Sequence, residues 1–100
     1  MEFIYIIKPK KENFNETGTE EEFNIMGEHF LYLKQLIKDN ILILAGPELN
    51  AKFGIAVIEA ENEEEAKKIM YSDPAVKKGV MNVELYPFRV SLLRGREDLQ

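Results

Sequence analysis

Residues 2–8, EFIYIIK, constrain the fold more than any other stretch. Their β-branched and aromatic content marks a strand, in which Phe3, Tyr5 and Ile7 point to one face and Ile4 and Ile6 to the other. Both faces are apolar, so both need cover. Pro9 has no N–H to give to a ladder and ends the strand. The rest of the chain must therefore supply two covering layers or leave one face to a partner.

Residues 10–19, KKENFNETGT, are polar and without periodicity, and read as a loop. Thr19 then opens the longest helix. Its hydroxyl and the Glu22 carboxylate have capping-box spacing, and Glu20, Glu21 and Glu22 suit the positive end of the helix dipole. Phe23, Met26, Phe30, Leu33 and Ile37 recur at helical steps, with Ile25, Tyr32 and Leu36 widening the stripe and Leu31 on the polar side. Asn40 suits the left-handed conformation that ends a helix. Residues 41–45, ILILA, read as a strand buried on both faces, broken by Gly46-Pro47. A turn over 48–52 leads to a strand over 53–60, whose Gly54, Ala56, Ile58 and Ala60 form a face of mostly small residues suited to close packing. Asn62, with Glu65 three residues on, caps a second helix, in which Ala66, Ile69 and Met70 face inward. Ser72-Asp73-Pro74 interrupts that helix and starts a short helical turn closed by Gly79. Residues 80–88 form the last strand, where Pro87 suggests an edge.

The order is β-α-β-β-α-β, the ferredoxin-like α+β arrangement, with a four-stranded antiparallel sheet and two helices on one face. Residues 1–100 read as one such domain, with residues 89–100 as a C-terminal tail. The helices cover one face, and the other is apolar as well. Packing against a second copy would bury it, which predicts a homodimer or a larger homo-oligomer.

Composition narrows the chemistry. There is no cysteine, which excludes disulfides and thiolate nucleophiles and fits a cytoplasmic protein. With one histidine, a zinc or blue-copper site is not expected, and neither a metal nor a cofactor is predicted. The formal charge of −5 disfavours nucleic acid and anionic membranes, so Arg89, Arg94 and Arg96 read as a solvated tail. No apolar run reaches membrane-spanning length, and the first residues enter a strand rather than a signal peptide. Neither a nucleophile elbow nor a phosphate-binding glycine loop occurs.

His29 is the only histidine and the one side chain whose ordinary titration lies near neutrality. On a helical wheel it falls inside the apolar arc, between Met26, Leu33 and Leu36. A core histidine with one satisfied hydrogen bond accounts for that position, and so does a general acid/base. Asp73 likewise has two readings: an N-cap before Pro74, and a carboxylate that fixes the His29 tautomer and leaves the second ring nitrogen to move a proton. Gly46 and Pro47 are either a strand end or the rim where a small-molecule substrate approaches the backbone. Tyr5 and Tyr32 are core or interface aromatics whose hydroxyls could reach such a substrate, and Ser72 is a turn residue beside Asp73 carried as a further substrate contact.

Several segments in order resemble the YCII-related family of the dimeric α/β-barrel superfamily. They are His29-Phe30-Leu31-Tyr32-Leu33-x-x-Leu36, Leu44-Ala45-Gly46-Pro47, Phe53-Gly54-Ile55-Ala56-Val57, Ser72-Asp73-Pro74-Ala75-Val76-x-x-Gly79 and Glu84-Leu85-Tyr86-Pro87-Phe88. Asn40 departs from the pattern, which has glycine there. The resemblance implies a dimeric α/β barrel with an active site built on His29 and Asp73. Relatives include a dehydrochlorinase of a chlorinated hydroxyhydroquinone, and the wider superfamily includes muconolactone isomerase and cofactor-free monooxygenases. These imply a lyase- or isomerase-type enzyme acting by general acid/base chemistry on a small organic substrate. A dimeric module that binds a small molecule without turnover is the alternative.

Overall fold

The structure, a computed structural model, describes residues 1–96. Its elements are β1 (Glu2–Pro9), α1 (Phe14–Thr17), α2 (Glu20–Lys38), β2 (Leu42–Pro47), β3 (Gly54–Glu59), α3 (Glu63–Ser72), α4 (Pro74–Lys77) and β4 (Met81–Phe88). The four strands form one antiparallel sheet in the order β2-β3-β1-β4, a ferredoxin-like α+β fold.

Alternation along β1 divides the sheet. Phe3, Tyr5 and Ile7 join Ala56 and Ile58 of β3 in a core with Leu33 and Leu36 of α2 and Met70 of α3. On the opposite face Ile4 and Ile6 stand beside Val57 and Ile55 of β3 and Tyr86 and Glu84 of β4. This second face carries no helix. Ile4, Ile6 and Ile55 are half-buried there, and Tyr86 and Phe88 are exposed.

Local chemistry sets the helix ends. Thr19 and Glu22 form a full capping box, and the Asn62 side chain accepts from the Glu65 N–H at 2.9 Å. Asn40 takes φ 59° at the end of α2, and Gly79 takes φ 78° after α4.

Four expectations are corrected. The segment over 10–19 is not all loop: Asn13 turns the chain at φ 52°, α1 comes next, and Phe14 is buried with its ring 5.2 Å from that of Phe23. The strand read at 41–45 is not buried on both faces. β2 lies at the sheet edge, and from Leu44 to Pro47 it is exposed. It also runs on through Gly46 and ends at Pro47 rather than at Ala45, because an edge strand tolerates a residue with no N–H. Finally, α2 buries Ile25, Leu33 and Leu36, whereas Phe23, Phe30 and Ile37 of the expected stripe remain exposed.

Beyond β4 the Val90 N–H donates to Glu2 Oε1 at 3.0 Å, and Val90 is buried. Leu92 is exposed. The last part of the expected tail, residues 97–100, lies outside the described residues.

Candidate active site

Asp73 is placed by the proline after it. Pro74 disfavours helical conformation in the preceding residue and cannot continue the hydrogen-bond ladder, so α3 stops at Ser72 and Asp73 is extended (φ −64°, ψ 124°). Asp73 then caps α4, its Oδ1 accepting from the Ala75 N–H at 3.0 Å. The capping and partner readings of this residue coexist. The carboxyl group is wholly buried, yet it faces two further groups. His29 Nδ1 lies 2.8 Å from Oδ1 and 2.7 Å from Oδ2, and the Tyr5 hydroxyl donates to Oδ2 at 2.8 Å.

Three elements therefore converge on one carboxylate: β1 through Tyr5, α2 through His29, and the start of α4 through its own backbone. An ionised carboxylate only accepts, so with Asp73 in that form the proton between them sits on His29 Nδ1, and a ring carrying no second proton has its lone pair on Nε2. Among the described residues, Nε2 has no protein partner. Burial pushes the Tyr5 phenol well above its ordinary titration range, and the Asp73 charge pushes it further, so Tyr5 stays a donor. Tyr32 is pushed up to about 12, chiefly by burial and then by the Asp73 charge.

His29 stands between this carboxylate and a cavity of about 480 Å³ under α2, with its side chain 13% exposed. Tyr5, Ile7 and Ala56 floor the cavity on the sheet; Met26, Phe30 and Leu33 wall it from the helix. Small residues, Ala45, Gly46, Gly54 and Ala56, line it on the sheet side. Gly54 sits so close to Ile7 that an added Cβ would lie 3.3 Å from its Cγ1. Asp73 is behind His29 rather than on the cavity wall.

Of the residues singled out from the sequence, His29, Tyr5, Gly46 and Pro47 line the cavity, and Asp73 contacts two of them. The structure does not bring Tyr32 or Ser72 there. The Tyr32 hydroxyl is turned to the Ile69 carbonyl at 2.6 Å, and Ser72, the last residue of α3, is exposed at the surface. Sequence reasoning missed Phe14, Phe23, Phe30, Lys34 and Phe53 as cavity residues. The signal was present in the apolar stripe of α2, which is broader than one buried face requires. Among the described residues, no group of three His, Cys, Asp or Glu could hold a metal ion, and no helix is long and apolar enough to cross a membrane.

Known proteins share this fold. The family model of the YCII-related domain matches residues 1–89. A solved structure of 5-chloro-2-hydroxyhydroquinone dehydrochlorinase from Burkholderia phenoliruptrix, in complex with 2,5-dihydroxybenzoquinone, superposes with a TM-score of 0.70 at 17% identity, covering 89% of this chain and 94% of that one. At that identity the likeness is one of fold. The urease accessory protein UreD of Photorhabdus laumondii is 36% identical over 52 residues, which are 52% of this chain and 16% of that protein.

Proposed function

The chain belongs to the YCII-related domain family, and on that premise we propose that it is a small homodimeric enzyme whose His29–Asp73 pair moves a proton on an organic substrate held under α2. The observation that carries this reading is the His29 Nδ1 contact to buried Asp73 at 2.7 Å, on a ring that also lines the cavity. Orientation by a carboxylate on one nitrogen leaves the other free to act as a base.

In this reading Nε2 takes a proton from an acidic C–H of the substrate. The C–H electron pair then forms a double bond as a leaving group departs, giving elimination such as dehydrochlorination. If there is no leaving group, the proton returns at another carbon, giving isomerisation. Asp73 stabilises the imidazolium formed in either case, and no redox partner is called for because no electrons are gained or lost.

The apolar face of the sheet opposite the helices supports the dimer. Ile4, Ile6 and Ile55 there, with Tyr86 and Phe88 beside them, would be covered by the same face of a second copy. In this reading residues 1–100 act as a single domain in a dimeric α/β barrel.

The test is exchange of acidic C–H protons in D2O across small carbonyl compounds and arylacetates, together with chloride release from chlorinated analogues of them. His29→Ala is expected to abolish any turnover found while leaving the oligomer folded. Unchanged turnover in that variant removes His29 from the mechanism. Saturable binding with no turnover of any compound favours the alternative, a small-molecule-binding module.

A further inference from the structure

The cavity under α2 also points to a class of substrate, an inference that rests on reading it as the site. Its volume of about 480 Å³ is roughly three times the ~150 Å³ that suffices for benzene. Its wall is largely hydrocarbon. Phe23, Met26, Phe30 and Leu33 of α2 face the same space as Phe14 of α1 and Phe53 before β3.

Polar side chains on the wall are few: Tyr5, Asn15, His29 and Lys34. The Tyr5 hydroxyl is committed to Asp73. Lys34 holds its Nζ 5.7 Å from the centre of the Phe30 ring, and among the described residues no carboxylate pairs with it. It lies five residues beyond His29 on α2, about 7.5 Å along the helix axis. The cavity thus offers one base, one side-chain amide at Asn15, one cation some distance from the base, and aromatic and aliphatic surface between and around them.

A ligand carrying polar atoms all round a single ring would lose its water here and regain few hydrogen bonds. A hydrocarbon body with one anionic end loses little and gains the cation. We infer that the cavity takes a monoanionic amphiphile larger than a single ring, with its carboxylate at Lys34 and its hydrocarbon body under α2 against His29.

Calorimetric titration of the full chain with three probes tests this: 2-naphthylacetate, phenylacetate and the neutral 2-(2-naphthyl)ethanol. Naphthylacetate should bind about tenfold or more tighter than phenylacetate, from the added apolar area buried. It should bind about threefold tighter than the alcohol, the size of effect an exposed cation gives. Lys34→Met should erase the preference for acid over alcohol and keep the preference for two rings. Ala45→Phe, which places a ring in the cavity from the exposed strand β2, should weaken naphthylacetate by about tenfold or more with unchanged circular dichroism.

The inference is overturned if none of the probes binds, if phenylacetate binds as tightly, if the alcohol is preferred, or if Lys34→Met keeps the acid preference. Turnover is assayed separately from binding: loss of either preference in the wild type overturns the substrate class and leaves the His29–Asp73 reading standing, whereas both preferences without turnover leave the substrate class standing.

Discussion

The Tyr5 hydroxyl donates to Asp73 Oδ2 at 2.8 Å, so the carboxylate behind His29 is held from the centre of the sheet as well as from the helices. This contact spans 68 residues of sequence and is wholly buried. It turns what would be a two-residue pair into a set of three side chains with one acceptor at its middle.

Tyr5→Phe keeps the ring in the core and deletes that donor. A hydrogen bond to a charged group typically contributes about 1.5–3 kcal/mol, so the variant should unfold in urea with stability lower by about that amount. Asp73 would keep its bonds from Ala75 and His29. Equal stability of variant and wild type would show that water or a rearranged neighbour replaces the phenol.

Asp73→Asn tests the tautomer. An amide placed there can donate to His29 Nδ1, which would move the ring proton to Nε2 and abolish its basicity toward the cavity. Any turnover is then expected to fall by about 10⁴-fold, the scale seen when a histidine is held in the wrong tautomer. Asp73→Ala should also lose stability, by about 3 kcal/mol or more, since it removes the cap of α4 and orphans both Tyr5 and His29. Full activity in Asp73→Asn would sink the orienting role.

Alkaline pH should unfold the protein through its buried phenols. Tyr32 is raised to about 12 and Tyr5 is raised as well. Above pH 10 the unfolded chain releases these protons while the folded chain keeps them, so the unfolded state binds fewer and stability falls as pH rises. The contribution is complete below pH 10 and is lost between about 10 and 12 for Tyr32. Urea unfolding measured from pH 8 to pH 12 should show a shallower decline for Tyr32→Phe than for wild type; identical slopes would refute the assignment.

Ile6→Glu places a charge in the middle of the uncovered sheet face, opposite Ile55 and Glu84. Sedimentation of the wild type at micromolar concentration should give a dimer and of the variant a monomer, because an unpaired charge in that interface would be desolvated beside a like charge. A wild type that sediments as a monomer would contradict the dimer outright.

Much of this molecule is written locally. The Thr19–Glu22 capping box, the Asn62 cap, the left-handed Asn40 and the Asp73-Pro74 start of α4 each arise from a few adjacent residues. So does the element order, because periodicity of two or near four reports strand or helix without reference to the rest of the chain. The apolar arc around His29 was legible for the same reason. Its contents were not: Phe23 and Phe30 have the spacing of core residues and face a cavity instead. The pattern α2 would show is the same whether its apolar side meets side chains or empty space.

The sequence by itself determined the four strands and the two longer helices, where those helices are capped, and that both faces of β1 are apolar. Only the tertiary structure decided that β2 lies at an edge, that Phe14 sits in a short helix and lines the cavity, and that Tyr5, His29 and Ala75 share the Asp73 carboxylate. The reason is physical. Caps and periodicities arise from contacts within a turn or two of the chain, whereas strand order, cavity shape and a shared acceptor depend on how distant segments pack. Many different partners satisfy the same local pattern.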